Sequence, residues 1–263
     1  MPRPKKSLGQ NFLKQKRFVT KIIDSADLKT GDLVLEIGPG YGAITEEVLA
    51  RGFKVLAIEK DDAIVLHLKE KFKKEIADGK LHLVSEDVAD FDISKIKKLA
   101  KSYKVVANIP YYITGLIIRK FLSSDFQPQT MSLLVQNEVA KRIVKREEGE
   151  SILALSVWVY GTPEYITKVP KEAFRPVPKV ESAIISIKNI SKKNFKNHKE
   201  EEGFFELIKT AFLHKRKKAI KNIEDLYDEE NLKEIWDKLG LEENQRPEEI
   251  NLDKWISISR ARR

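Results

Sequence analysis

The feature that most limits how this chain can fold is a glycine-rich loop set directly after a short apolar run. Leu33–Ile37 leads into Gly38-Pro39-Gly40-Tyr41-Gly42, and helical spacing follows at Ile44, Val48 and Leu49. Glycines at such a junction permit a tight strand-to-helix turn and let a ligand approach the backbone. The same rhythm continues along the chain. Strands are predicted at Lys54–Glu59, Leu81–Val84, Val105–Ile109 and Met131–Val135, with helical spacing at 18–23, 64–72, 96–99 and 113–122. Alternation of this kind predicts a Rossmann-like, doubly wound α/β fold with a mostly parallel sheet.

The later part of the chain reads differently. Residues 152–160 fit a buried helix or a strand, with the helix preferred, and Glu164–Val169 and Ser182–Ile187 are predicted as a closing strand pair around a proline-stiffened loop at 170–178. A polar, lysine-rich stretch at Asn189–Lys199 predicts a boundary. It separates a domain of residues 1–190 from a small C-terminal all-helical domain of residues 191–263, where the apolar spacing is helical to the end.

Charge is informative once it is located. The chain carries +9 overall, yet residues 1–21 and 188–221 each carry +7, so the remainder is −5. Two basic segments flanking a domain predict a phosphate-binding surface and a nucleic-acid partner. Phe195, Phe204, Phe205 and Phe212 interrupt the second segment, which predicts a folded element rather than a tail. The chain has no cysteine, and its four histidines lack ligand spacing, so no metal site is expected. No apolar run is long enough to span a membrane, and the basic N-terminus has no apolar stretch of the secretory kind. A cytoplasmic monomer with no membrane contact is expected.

The glycine loop alone leaves the ligand open. Gly38, Gly40 and Ala43 satisfy the dinucleotide pattern G-x-G-x-x-G/A, and Glu59 lies at the right distance to hold ribose hydroxyls. An NAD-dependent enzyme therefore competes on these residues. Gly42 extends the pattern to E-x-G-x-G-x-G and places Glu36 near the amino-acid end of an S-adenosylmethionine cofactor. Glu36, Glu59 and Asp87 fall at or near successive strand ends, and carboxylates there suit a sulfonium cation. Asp87 is expected to accept from an adenine amino group; its alternative reading is a helix cap.

Asn108-Ile109-Pro110-Tyr111, directly after Val105–Ala107, decides between these ligands. An exocyclic amine is a poor nucleophile because its lone pair delocalises into the ring. Two acceptors aimed at its hydrogens localise that pair. The Asn108 side-chain oxygen is one, and the Ile109 or Pro110 carbonyl is the other. Pro110 stiffens the backbone and adds no donor, while Tyr111 offers a face for a stacked base.

The chain resembles the ribosomal RNA adenine N6-dimethyltransferases. The resemblance rests on Ser7–Leu13, the 38–42 loop, Asn-Ile-Pro-Tyr-Tyr at 108–112, Ala173–Ser182 and the basic segment Ala211–Lys218. That last segment departs from the family in having His214-Lys215 before Arg216. The resemblance implies the S-adenosylmethionine-dependent methyltransferase fold and dimethylation of two adjacent adenosines in a hairpin loop near the 3′ end of small-subunit rRNA. It implies that Asn11 and Leu13 touch the cofactor together with Gly38, Gly40, Glu59, Asp87 and Asn108. It also implies that Phe174 sandwiches the adenine with Tyr111. The partner implied is the rRNA of an assembling small subunit. Two rivals share the scaffold: a large-subunit rRNA adenine methylase of the antibiotic-resistance type, and a non-catalytic assembly factor.

Overall fold

A computed structural model of the protein describes residues 2–5, 8–144, 150–214 and 216–262. They fall into two compact units, one of Met1–Lys141 with Gly161–Ser191 and the other of Arg142–Tyr160 with Lys192–Arg263.

Among the described residues the first unit is built on nine strands: β1 Phe12–Leu13, β2 Leu33–Ile37, β3 Lys54–Glu59, β4 Leu81–Ser85, β5 Tyr103–Asn108, β6 Met131–Gln136, β7 Thr162–Val169, β8 Phe174–Arg175 and β9 Ser182–Lys188. Seven form one sheet in the order β4-β3-β2-β5-β6-β9-β7. The five strands from β4 to β6 run parallel, and β9 is antiparallel to both β6 and β7. This is the mostly parallel doubly wound sheet expected from the alternation. β2 is buried at every position, as a parallel strand covered on both faces must be, and so it reads as an unbroken apolar run around Glu36. Helix α1, Lys16–Asp24, buries the stripe Phe18, Val19, Ile22 and Ile23. Helix α2, Ala43–Ala50, follows the glycine loop, and helix α3, Asp62–Lys71, is capped by the Asp61 side chain on the Ala63 N–H.

Strand order sets the position of any ligand. The chain runs outward from β2 through β3 to β4, then returns to the other flank of β2 as β5. A crevice opens at the carboxyl ends of β2 and β5, where doubly wound folds bind ligands. Ile37 and Ala107 are partners in register, so Gly38 and Asn108 emerge side by side.

The loop between β2 and α2 holds Gly38, Gly40 and Gly42 at φ of +66°, +55° and +80°. Such values strain any other residue. Space matters as well: a Cβ on Gly40 would sit 2.6 Å from the Phe12 ring, and one on Gly42 would sit 2.5 Å from the Phe72 ring. Strands β1 and β8 pair as a small antiparallel ribbon, with Phe12 opposite Arg175 and Leu13 opposite Phe174. They join segments about 160 residues apart in the chain.

The second unit is helical, with α-helices at Ile152–Trp158, His198–Ala211, Ala219–Ile223, Glu229–Lys238 and Leu252–Arg260. The sequence placed a single boundary at 190/191, with residues 152–160 in the first domain. The chain instead enters the helical unit twice. Trp158 Nε1 donates to the Ile143 carbonyl, Asn194 Nδ2 to the Val159 carbonyl, and the Tyr160 hydroxyl to Glu201. The first bond closes Arg142–Tyr160 on itself, and the other two tie it to Lys192–Arg263, the segment with which it forms one unit. Rings of Tyr160, Phe195, Phe204 and Phe205 pack on one another, so the second basic segment belongs to a folded element. No helix among the described residues is long and apolar enough to cross a membrane.

The glycine loop gives a direct test. Gly42→Ala is expected to cost about 1–3 kcal/mol, from strain plus the clash with Phe72. Gly52 shares a positive φ of +85° but has open space around its Cβ position, so Gly52→Ala should cost clearly less. Thermal unfolding compares them, and equal losses would remove the packing clash from the explanation.

Candidate active site

One cleft gathers the ends of four parallel strands. Gly38 and Gly40 come from the loop after β2, Glu59 and Lys60 from the end of β3, and Glu86–Ala89 from the turn after β4. Asn108–Ile113 comes from the end of β5, and the N-terminal residues Leu8–Phe12 close over them. Of the residues expected at a cofactor and reaction site, Asn11, Gly38, Gly40, Glu59, Asp87, Asn108, Pro110 and Tyr111 all line this cleft.

Glu59 is buried at 8 % exposure. Burial pushes its pKa up, while hydrogen bonds from the backbone N–H groups of Asp61, Gly40 and Lys60 pull the other way. The Asp61 N–H to Glu59 Oε1 distance is 2.9 Å. Asp87 takes the Lys60 ammonium on Oδ2 at 2.5 Å and the Ala89 N–H on Oδ1 at 2.9 Å. The Lys60 hydrogen bond is the main cause that holds its pKa below the usual range. Asp87 thus braces a turn rather than capping a helix, and its carboxylate lines the cleft. Gly38 leaves the floor open, since a Cβ there would point toward the Asn108 carbonyl oxygen at 4.0 Å.

Asn108 ends β5. Its Nδ2 donates to the Asn11 carbonyl at 2.8 Å, so the polar end left over is the carboxamide oxygen. The Pro110 carbonyl already accepts the Ile113 N–H at 3.1 Å, in the 3₁₀ turn Tyr111–Ile113. Tyr111 is half-buried, and its hydroxyl is 2.7 Å from Ser182 Oγ, the first residue of β9. Burial raises the Tyr111 pKa, so the phenol stays neutral and the ring is tethered.

Three expected site residues lie elsewhere. Glu36 does not face the cleft. It is 1 % exposed, its Oε2 accepts from Thr45 Oγ1 at 2.6 Å, and its Oε1 has no partner among the described residues. It stands one residue before the end of β2, and its bond to Thr45 ties it to α2. Burial pushes its pKa up to about 8. Leu13 is buried and lines a second cavity, with Phe12, Tyr41, Lys14 and Arg175, that shares Gly38, Gly40 and Asn108 with the cleft. Phe174 lines neither and is 1 % exposed, because its pairing with Leu13 turns the ring into the core. It offers no face to a base here. Sequence reasoning also gave no role to Gln10, Lys60, Asp61 and Tyr112; Gln10 and Tyr112 lie within the quoted motifs, Asp61 had a readable signal as the cap residue before α3, and Lys60 had none.

Residues 1–262 match the family described as ribosomal RNA adenine dimethylase. The chain belongs to that family. It is 39 % identical over 257 residues to "Ribosomal RNA small subunit methyltransferase A" of Fusobacterium nucleatum, covering 97 % of this chain and 96 % of the relative. To the protein of that name from Mycoplasma capricolum it is 36 % identical over 262 residues, with the same coverage of each. Two solved structures share the fold with a TM-score of 0.74 and 22 % identity. One is the 23S rRNA methyltransferase ErmE, with 96 % of this chain and 99 % of that chain covered. The other is a dimethyladenosine transferase from Plasmodium falciparum, with 94 % and 95 % covered. Membership in a methyltransferase family resolves the ambiguity of the glycine loop against an NAD-dependent enzyme.

Glu36 yields a prediction with a definite sign. Its pKa is raised in the folded protein, so between the ordinary carboxylate range and about pH 8 the folded state binds the extra proton. Its contribution to stability is present at low pH and is lost as pH rises through that window. Glu36→Gln removes the titration. Stability of wild type relative to Glu36→Gln should fall between pH 5 and 8, by up to ~1.4 kcal/mol per pH unit. Parallel pH profiles in chemical denaturation would rule out a protonated Glu36.

Proposed function

We propose that the protein transfers methyl groups from S-adenosylmethionine to N6 of two adjacent adenosines in a hairpin loop near the 3′ end of small-subunit rRNA. The product is N6,N6-dimethyladenosine, and the setting is a subunit under assembly in the cytoplasm, with the protein acting as a monomer. The observation that carries this reading is Asn108 at the end of β5, with its oxygen as the unused polar end, in the same cleft as Glu59 and Asp87.

The residues present fit the cofactor. Gly38 has no side chain to fill the floor, Glu59 is a carboxylate suited to ribose hydroxyls, and Asp87 is a carboxylate suited to an adenine amino group. Once bound, the cofactor supplies an electrophilic methyl group on a cationic sulfur. Asn108 Oδ1 and the Ile109 carbonyl accept the two amino hydrogens of the target adenine; Pro110's carbonyl is already engaged by Ile113. Held this way, the nitrogen lone pair is turned out of conjugation and toward attack. Catalysis then rests on alignment and fixed dipoles, with no side chain of tuned pKa required. Tyr111 provides a stacking face worth ~1–3 kcal/mol. Phe174 supports Leu13 and the N-terminal segment.

A hairpin loop is a sensible target because its bases are unstacked at low cost. The basic segments 1–21 and 188–221 hold flanking phosphates, which makes binding strongly salt-dependent. Relatives at 34–39 % identity, named for the small subunit, support that substrate over a large-subunit one.

The reading is tested by labelled methyl transfer onto unmethylated small subunits, with mapping of the modified nucleotides. Two adjacent dimethyladenosines near the 3′ end are expected, and label confined to large-subunit RNA, or no transfer, would overturn it. Asn108→Ala is expected to lower kcat by about 10²–10³, with cofactor Kd within about threefold of wild type. Tyr111→Ala should weaken the RNA-dependent step by about tenfold; wild-type KM and kcat would sink its stacking role.

A further inference from the structure

The N-terminal segment reaches the reaction centre through a chain of hydrogen bonds. Lys5 Nζ donates to Asp61 Oδ1 at 2.7 Å, and Gln10 Nε2 donates to Asp61 Oδ2 at 3.0 Å. Gln10 Oε1 in turn accepts the Lys5 backbone N–H at 2.7 Å. Asn11 spends its own side chain on the Gly9 carbonyl, at 3.1 Å, bracing a turn in which Gly9 has φ of +59°. Asp61 is buried at 3 % exposure. Burial works against its charged form, but the Lys5 and Gln10 hydrogen bonds outweigh it and hold the carboxyl below its usual range. Asp61 also caps α3 and rests its N–H on Glu59. One end of the segment is therefore fixed by Asp61. The other is fixed by the β1–β8 ribbon. Between these anchors lies the Asn11 carbonyl, which accepts Asn108 Nδ2.

A carboxamide has two ends of nearly equal shape and opposite polarity. Turned over, Asn108 would present N–H donors to the adenine amino group and engage the lone pair that must attack. The Asn11 carbonyl prevents this, because it can pair only with the nitrogen end. We propose that this carbonyl is the polarity lock of Asn108, and that Asp61, through Lys5 and Gln10, is the positioning residue that keeps the lock in place. The proposal rests on the methyl-transfer reading above. It makes the segment a determinant of turnover as well as a wall of the cofactor cleft.

The test is a double-mutant cycle with Asn108→Asp, which keeps an acceptor but, when ionised, has no donor for the Asn11 carbonyl. Lys5→Ala combined with Gln10→Ala leaves the Asp61 cap and its Glu59 contact intact. In the wild-type background this pair should slow single-turnover methyl transfer about tenfold at saturating cofactor, with cofactor Kd changed less than about threefold. In the Asn108→Asp background it should change the residual rate by less than about twofold. Gln10→Glu, which sets a second carboxylate against Asp61 without altering shape, should show the same pattern. A second readout is independent of activity. The Asn108 side-chain amide signal in ¹⁵N NMR, identified by its disappearance in Asn108→Asp, should be protected from exchange in wild type and lose protection in the Lys5/Gln10 variant. Fully multiplicative rate losses, a defect confined to cofactor Kd, or unchanged amide protection would overturn the proposal. Absence of methyl transfer by the wild type would instead sink the functional reading, leaving the amide signal to judge the lock.

Discussion

The parallel pairing of β2 with β5 is the constraint on which the site depends. Because Ile37 and Ala107 are partners in register, the strand ends release Gly38 and Asn108 as immediate neighbours. Because the chain reaches β5 only after running out to β4 and back, no connecting helix fills the space above them. A one-residue slip in that pairing would turn Asn108 to the other face and close the crevice. The left-handed glycines then keep the floor low, and the Phe12 and Phe72 rings packed on Gly40 and Gly42 keep the loop where it is.

Polar groups in this cleft are held rather than left free. Asp87 is gripped by Lys60 and its own turn, Glu59 by backbone N–H groups, Tyr111 by Ser182, and Asn108 by Asn11. Each bond fixes one end of a group and leaves a defined remainder for a ligand. That arrangement suits a reaction whose barrier is lowered by alignment and fixed dipoles, since dipoles already oriented need no reorganisation at the moment of transfer. Glu36 is the contrast. Near in sequence, it is buried against Thr45 of α2 and pushed toward neutrality, which makes it a matter of stability and of pH.

The sequence showed the parallel sheet well, because fully buried strands between amphipathic helices leave an unambiguous pattern. It showed the cleft residues at strand ends for the same reason: once a strand is placed, the next residue is at the ligand face. What it could not show are contacts made across long separations by short pieces. Two-residue strands at Phe12–Leu13 and Phe174–Arg175 carry no periodicity, so the burial of Phe174 was illegible and a stacking role was expected in its place. The Lys5–Asp61–Gln10 cluster spans more than fifty residues and depends on the strand order itself. The entry of Arg142–Tyr160 into the helical unit was hidden because a helix apolar at every position but Ser156 does not reveal which core it joins.

The most direct test of a cofactor cleft built around this crossover is a crystal structure with S-adenosylhomocysteine, the demethylated cofactor. Ribose hydroxyls on the Glu59 carboxylate, the adenine amino group at Asp87 and the sulfur facing Asn108 are expected. Density that leaves Glu59 and Asp87 untouched, or that places the sulfur away from Asn108, would contradict the account.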